Sequence, residues 1–575
     1  METAPAAEPE MNSNTGSSAS EAGGKGADEY SGTNVQVKGI DEGDIVKTDG
    51  KYIYVLDNAM QLTILSAAGG DSEIVSRTQI GYSDWTDNNK EESKYYDYSS
   101  TNKNPREMFV AEGRVAILSG YNYYHDYETA EGWGYENESY TCLDVLDVTD
   151  PAAPKTIASK GQDGWLVSSR LLNGRLYFVT NYWVYNYDEE DPVTFVPRLY
   201  TDGAAEPIAA GDICIAGDSN EFVVVGAYDI ATGELLKAQS LLGAGDEVYM
   251  SADSLYVFGS EWANEVVNTY TESVYTVEEH LNYSSTQIHR FDLTEEGLEL
   301  AAQGSVPGYM DSQFSADEAD GLLRIVTTAN GYSYKLYTDE AYGFTNYVWG
   351  EDNSATGLYI LNEQLVTVGS IEDLAPGEQV YSARFDGDVA YFCTFRQIDP
   401  LFAVDLSDPT APTVMSALKL PGFSEYLHGW GEGRLFGFGR DADEETGRTG
   451  QLKLVMFDTT DKGDVKVENS LVLDTTYSPA LYNHKAFFIS PEQNIIGFVA
   501  DGNYYVYSYD PAKGFTEVTH FNFENYEYDM RGFYVNENIY LVSPSQALVL
   551  DRATWSQLKL IPIVEVEEEP VYYYG

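Results

Sequence analysis

The chain has 575 residues, 43% of them hydrophobic, so a large core is available. Its 33 Lys and Arg face 93 Asp and Glu, a formal net charge of -60. A field of that sign repels polyphosphate and anionic lipid, which excludes nucleic acid and anionic membrane surfaces as partners and favours cations and basic peptides.

Residues 1–32 are rich in Ala, Glu, Ser and Gly and almost devoid of large apolar side chains, the composition of a disordered tether. They contain no apolar segment of the kind a secretion signal carries. No run of about 18 apolar residues occurs in the chain, so direct membrane insertion is not expected. Either the protein is cytoplasmic or its signal or anchor is not in this chain; a tether leading into a folded domain fits the second reading, an extracytoplasmic protein secreted or tethered to the cell surface. Cys142, Cys214 and Cys393 are far apart and odd in number, which makes neither a metal-ligand spacing nor a disulfide framework. Cys393 lies in an apolar run and reads as a small core residue.

From residue 44 onward one pattern recurs. A short strand rich in Val, Ile, Tyr and Phe follows a turn: KYIYVLD (51–57), GRVAILSG (113–120), GRLYFVTN (174–181), DSLYVFGS (253–260), GLLRIVTT (321–328), GDVAYFCTF (387–395), GRLFGFGR (433–440), NIIGFVAD (494–501) and ENIYLVSP (537–544). A further strand follows each, as in LFAVDL (401–406) and YYVYSYD (504–510). First strands such as VSSRLL (167–172) precede them, and fourth strands such as VKVENSLVL (465–473) end the unit. The unit at 380–420 is the clearest, with VYSARF, VAYFCTF, LFAVDL and TVMSALKL joined by short turns. Nine units of about 58 residues each span 44–563 with almost no helical periodicity. Tandem four-stranded antiparallel sheets predict an all-β fold, a β-propeller of eight or nine blades. The domain plan is a tether at 1–32, one propeller at 33–563 and an acidic, Tyr-rich tail at 564–575.

The connections are uneven. Long segments occupy 81–105, 119–141, 181–212, 260–285 and 329–356, with a shorter one at 441–450. The first lies between two units, and the others join second to third strands. In a propeller both kinds of connection emerge on one face. The reading is therefore a face of long loop insertions dense in Tyr, Trp, Asp and Glu. Tyr and Trp supply contact area at low entropic cost. The candidate binding face comprises Tyr121, Tyr123, Tyr124, Trp133, Tyr182, Trp183, Trp262, Tyr334, Tyr347 and Trp349.

Several blocks also resemble a known family. TNVQVKGIDEGDIVKTDGKYIYVL (33–56), ARFDGDVAYFCTFRQIDPLFAVDLSDPTAP (383–412), LPGFSEYLHGW (420–430) and SPALYNHKAFF (478–488) are similar, in order, to motifs of secreted bacterial and archaeal proteins with a C-terminal β-propeller domain. LHGW departs from the pattern, in which Pro often follows the His. The resemblance implies a propeller and an extracytoplasmic location, and no activity.

Sequence motifs for catalysis are sparse. No Gly-x-Ser-x-Gly, Walker or dinucleotide-binding motif occurs. His428 and His484 are placed on the first strands of units seven and eight, beside the central channel. Arg170, Arg384 and Arg531 are also on first strands. No catalytic residue is assigned; His428, His484 and Arg384 are the candidates. Asp41-Glu42-Gly43-Asp44 has the composition of a calcium loop without its ligand spacing, so no cofactor is expected beyond possible Ca2+. The leading functional expectation is a binding module for a partner protein, peptide or glycan, acting as a monomer. The alternatives are a hydrolase or lyase on envelope polymers, with its site at the channel, and a calcium-stabilised structural module.

Overall fold

The computed structural model describes residues 29–564 apart from 88–96, 130–131, 185–186, 189, 192–193, 218, 244, 246, 330, 340, 396–398, 432, 444–447 and 524–526. Residues 1–28 of the expected tether and 565–575 of the expected tail thus lie outside the described residues. Among the described residues the chain forms nine sheets and no α-helix. The sixth sheet shows the unit at its simplest. Strands Gln379–Asp386, Val389–Phe395, Asp399–Asp405 and Thr413–Leu420 lie side by side in chain order, all antiparallel. Gly387, at φ 56°, supplies the left-handed backbone that the tight first turn demands. The middle strands are covered on both faces: Ala390, Tyr391, Phe392, Cys393, Leu401 and Val404 are all buried.

Packing between sheets makes them a ring. Nine apolar clusters form, each shared by two successive sheets. The last joins Phe533, Val535, Tyr540 and Val549 of the ninth sheet to Val46, Ile53, Val55 and Leu65 of the first. Among the described residues closure uses no strand exchange, because the first sheet is built from Val46–Gln79 and the ninth from Arg531–Pro562. Each fully buried aliphatic or aromatic side chain contributes about 2 kcal/mol. A seam of a dozen such residues outweighs the few hydrogen bonds that cross it. This is the all-β propeller that the repeats predict.

Where the sequence reading expects loops, the described residues of 81–105, 119–141, 260–285 and 329–356 are largely strands that continue the blades, while 181–212 adds only the short strands Arg198–Thr201 and Ala204–Pro207. Arg114–Thr129 and Gly132–Asp147 form one unbroken ladder from Arg114↔Asp147 to Thr129↔Gly132. Ser254–Glu272 and Tyr275–Thr294 form another, with one bulge. Two insertions pair with a neighbouring blade instead of their own. Arg198–Thr201, from the third unit, pairs with the outer strand Lys155–Asp163 of the second. Gly331–Asp339, from the fifth, pairs with Tyr275–Tyr283 of the fourth, and Phe344–Asp352 pairs with Gly331–Asp339. The physical reason lies in the composition. Tyr, Thr and Val favour pleated backbone, and each added pair satisfies main-chain donors and acceptors that a loop would leave to water.

A second departure concerns the axis. Residues 29–45 form a strap across the channel. Tyr30 bridges Val535 in the ninth blade, and Asp41–Glu42 pairs with Arg170 and Leu171 on the inner strand of the third. Asp44 bridges Met108 on the inner strand of the second. Gln36 Nε2 donates to the carbonyls of Gln313 and Ala316, at the entry to the fifth. Asn34 Nδ2 donates to Tyr426 Oη of the seventh and to the His484 carbonyl of the eighth.

Candidate functional site

The strap carries the charges that the axis needs. Glu42 is buried; His484 Nε2 donates to its Oε2 at 2.9 Å, and the Gln36 main-chain N–H donates to Oε1 at 2.9 Å. Burial alone would raise this carboxyl. The charges of Arg170 and His484, the His484 hydrogen bond and Lys485 override it and hold the group well below the ordinary glutamate value. Arg531 Nε donates to both oxygens of Asp44 at 2.9 Å, and both residues are buried. Lys47 pairs with Asp41 at 2.6 Å. The acidic run 41–44, whose composition resembles a calcium loop, is therefore matched by the protein's own cations.

The catalytic candidates come together, in a closed setting. His428 stands on the inner strand Phe423–Gly429, as placed from sequence. His484 does not: it opens the short 3-10 turn His484–Ala486 that precedes an inner strand. The Asn483 side chain caps that turn through the Lys485 N–H, which aims the imidazole at Glu42. His428 is wholly buried; its Nδ1 lies 2.9 Å from Tyr426 Oη, and its Nε2 has no hydrogen-bond partner among the described residues. Burial, reinforced by the charges of Arg384 and His484, pushes it down to about 3, so it is neutral at ordinary pH. Half-buried Arg384 lies near enough to act electrostatically on His428 and Tyr426.

Two cavities flank the strap. One of about 290 Å³ is lined by Tyr30, Asn34, Asp41, Asp44 and the turn Asn173–Gly174. The other, about 770 Å³, opens on the face that bears the insertions. Its walls include Glu42, Arg170, His484, Tyr121, Tyr140 and Trp165. The strap thus turns an open channel into two separate bowls.

On the insertion face the predicted aromatics divide into groups. Tyr334, Tyr347 and Trp349 form one cluster, with ring centroids 5.4–6.3 Å apart. Tyr332 joins it at 5.7 Å from Trp349, and His280 stacks on Tyr334 at 4.5 Å and 6°. Tyr121 belongs to a second group: it lies 4.5 Å from Tyr140, which stacks on Tyr200 at 3.8 Å. Arg198 lies over Tyr200 and grips buried Asp163. Trp262 pairs with Tyr309, and Tyr123 with His125. Tyr124, Trp133 and Trp183 are exposed, while Tyr182 is half-buried. Six of the eight Trp are exposed, all on this face: Trp85, Trp133, Trp165, Trp183, Trp262 and Trp349.

Sequence reasoning missed Tyr332, His280, Tyr140 and Tyr200. The first had a readable signal. Tyr332-x-Tyr334 and Tyr347-x-Trp349 each place two rings on one face of a strand. His280 and Tyr200 join through pairing between units, which no local pattern announces. Among the described residues no group of three or more His, Cys, Asp or Glu is arranged to hold a metal ion. No helix there is long and apolar enough to cross a membrane.

Relatives fit this architecture. An uncharacterized protein of Archaeoglobus fulgidus is 28% identical, over 92% of this chain and 84% of its own length. One of Methanocaldococcus jannaschii is 24% identical, over 95% and 85%. Among solved structures, Kluyveromyces lactis Hsv2p overlays with a TM-score of 0.31 at 10% identity, covering 69% of this chain and 95% of its own. Saccharomyces cerevisiae Sqt1 gives 0.34 at 8%, covering 74% and 93%. Overlays that loose carry no argument about the site. A family profile described as "Beta propeller domain" matches residues 30–554, from the strap to the ninth blade, and the chain belongs to that family.

Proposed function

We propose that this propeller is an interaction scaffold outside the cytoplasm, held at the cell surface, whose working surface is the insertion-bearing face. The observation that carries the reading is the exposure of six of eight Trp on one face, beside strands built out from a rigid ring. Large aromatics left in water there mark a surface meant to be covered. The acidic, Ser- and Gly-rich composition of 1–28 supports a tethered location. The partner is a protein, peptide or glycan of the envelope.

The test replaces residues 120–141 and 330–354 by two-residue Asn-Gly turns. Ser119 pairs with Cys142, and Ala329 with Ala355, so both ladders can close. Partner binding is expected to vanish with the melting temperature of the ring unchanged. Unaltered binding sinks the reading.

A second reading rests on the cavity of about 770 Å³, where Arg170, His484 and Glu42 meet aromatic walls. It is a hydrolase or lyase acting on envelope polymers. Turnover on glycan or peptide panels that disappears in His484→Ala supports it, and absence of turnover by the unaltered protein removes it.

A further inference from the structure

Strand Phe344–Asp352 differs from the inner strands of the ring in the exposure of its side chains. It is the last strand of its sheet and, among the described residues, paired on one side only, with Gly331–Asp339. Every residue from 344 to 350 is exposed. Phe344 is 73% exposed and Trp349 64%, with Tyr347 and Val348 open as well. A free edge of this kind presents a row of unmatched N–H and C=O groups, and proteins usually blunt it with Lys, Pro or a bulge. Phe344–Trp349 has neither Lys nor Pro, and the one irregularity of its ladder falls at the Gly350 end.

The protection is electrostatic. Segments 260–283 and 331–352, which build this protruding sheet, hold nine Asp and Glu, one Lys and no Arg. The Lys, Lys335, is held by Glu279 at 2.6 Å. A second copy of the chain would bring like charge against like, so self-pairing is opposed. A basic strand meets the reverse. Tyr332, Tyr334, Tyr347 and Trp349 cluster on one face of the same sheet. Side chains of an added strand facing that side would stand opposite Tyr347 and Trp349, within reach of their rings. Lys or Arg there gains both the ring faces and the carboxylate field.

We propose that Phe344–Asp352 is a docking edge that takes an extended basic segment of a partner protein by strand addition, with Lys or Arg at alternate positions over the Tyr347–Trp349 aromatics. This rests on reading the insertion face as the interaction surface, and adds the chemistry and geometry of the occupant.

The test uses the full chain and a labelled peptide of about twelve residues that alternates Lys or Arg with Val or Thr, followed by fluorescence anisotropy. Binding is expected, weakened by about 10-fold or more when alternate peptide nitrogens are methylated, which keeps the charge and removes edge donors. Trp349→Ala is expected to weaken it by a similar factor, and replacement of 330–354 by Asn-Gly to abolish it. Equal affinity of the methylated peptide overturns strand addition, because charge alone then suffices. So does binding that survives the 330–354 replacement, or failure of the peptide where a neutral oligosaccharide binds. If the peptide fails while that replacement still abolishes capture of the native partner, the surface reading stands and this inference falls alone.

Discussion

The strap at 29–45 and the edge strand at 344–352 are both thin acidic segments laid beside the ring, and they solve opposite problems. In the strap each carboxylate is answered: Glu42 by His484, Asp44 by Arg531, Asp41 by Lys47. Its main chain pairs with the third blade, and Val35 and Ile40 are buried. At the edge strand the aromatics lie open and one backbone side is unpaired among the described residues, and in the segments 260–283 and 331–352 that build its sheet one Lys accompanies nine acids. The contrast separates charge that holds the molecule together from charge free to meet another. A net charge of -60 says nothing by itself about which carboxylates do which.

The largest expected effect breaks the strap. Asp44→Ala leaves the Arg531 guanidinium buried without its carboxylate, and Glu42→Ala does the same to His484 and Arg170. Each is expected to cost about 3 kcal/mol of unfolding free energy in a denaturant titration. A loss below about 0.5 kcal/mol would mean that the axis is not under tension from these pairs.

A smaller effect follows from His428. Its folded value is depressed to about 3 by burial, against about 6.5 in an unfolded chain. Its contribution to stability is fully present above about pH 6.5 and is lost as pH falls toward about 3, because only the unfolded chain takes up the proton. Between pH 6.5 and 5.5 the protein is expected to lose about 1 kcal/mol more than His428→Gln does. His289, depressed to about 4 by burial, acts with the same sign. Equal losses in the two proteins contradict the buried, neutral imidazole.

The smallest effect sharpens the other side of the comparison. Tyr347→Ala and Trp349→Ala remove exposed rings, so denaturant midpoints are expected to move by less than about 0.5 kcal/mol, even as binding falls. A large loss of stability would make the aromatic cluster a part of the fold instead of its surface.

The blades were legible because their information is local. At 380–420 the Asp386-Gly387-Asp388 turn and alternation in VAYFCTF fix strands that pair with sequence neighbours. The insertions were legible as aromatic and acidic, and their face followed from propeller geometry. Their strand character was not, since Tyr275–Tyr283 finds its partner 48 to 64 residues on, in another unit. The strap was hidden for the same reason. Asp44 lies 487 residues from Arg531 and Glu42 442 from His484, so Asp41–Asp44 looked like an isolated acidic turn. His428 stands on the inner strand where its sequence put it and His484 on a turn before one, and the segment that closes over them could not be read from their own strands.

One comparison tests the division of labour most directly. The unaltered protein, the variant with 330–354 replaced by Asn-Gly, and His484→Ala are each mixed with isolated cell envelopes and sedimented, with melting curves taken alongside. The account predicts that the 330–354 replacement stays in the supernatant while melting like the unaltered protein, and that His484→Ala still sediments despite melting earlier. Sedimentation that survives the replacement and disappears with His484→Ala would contradict it, moving the working site from the aromatic rim to the axis.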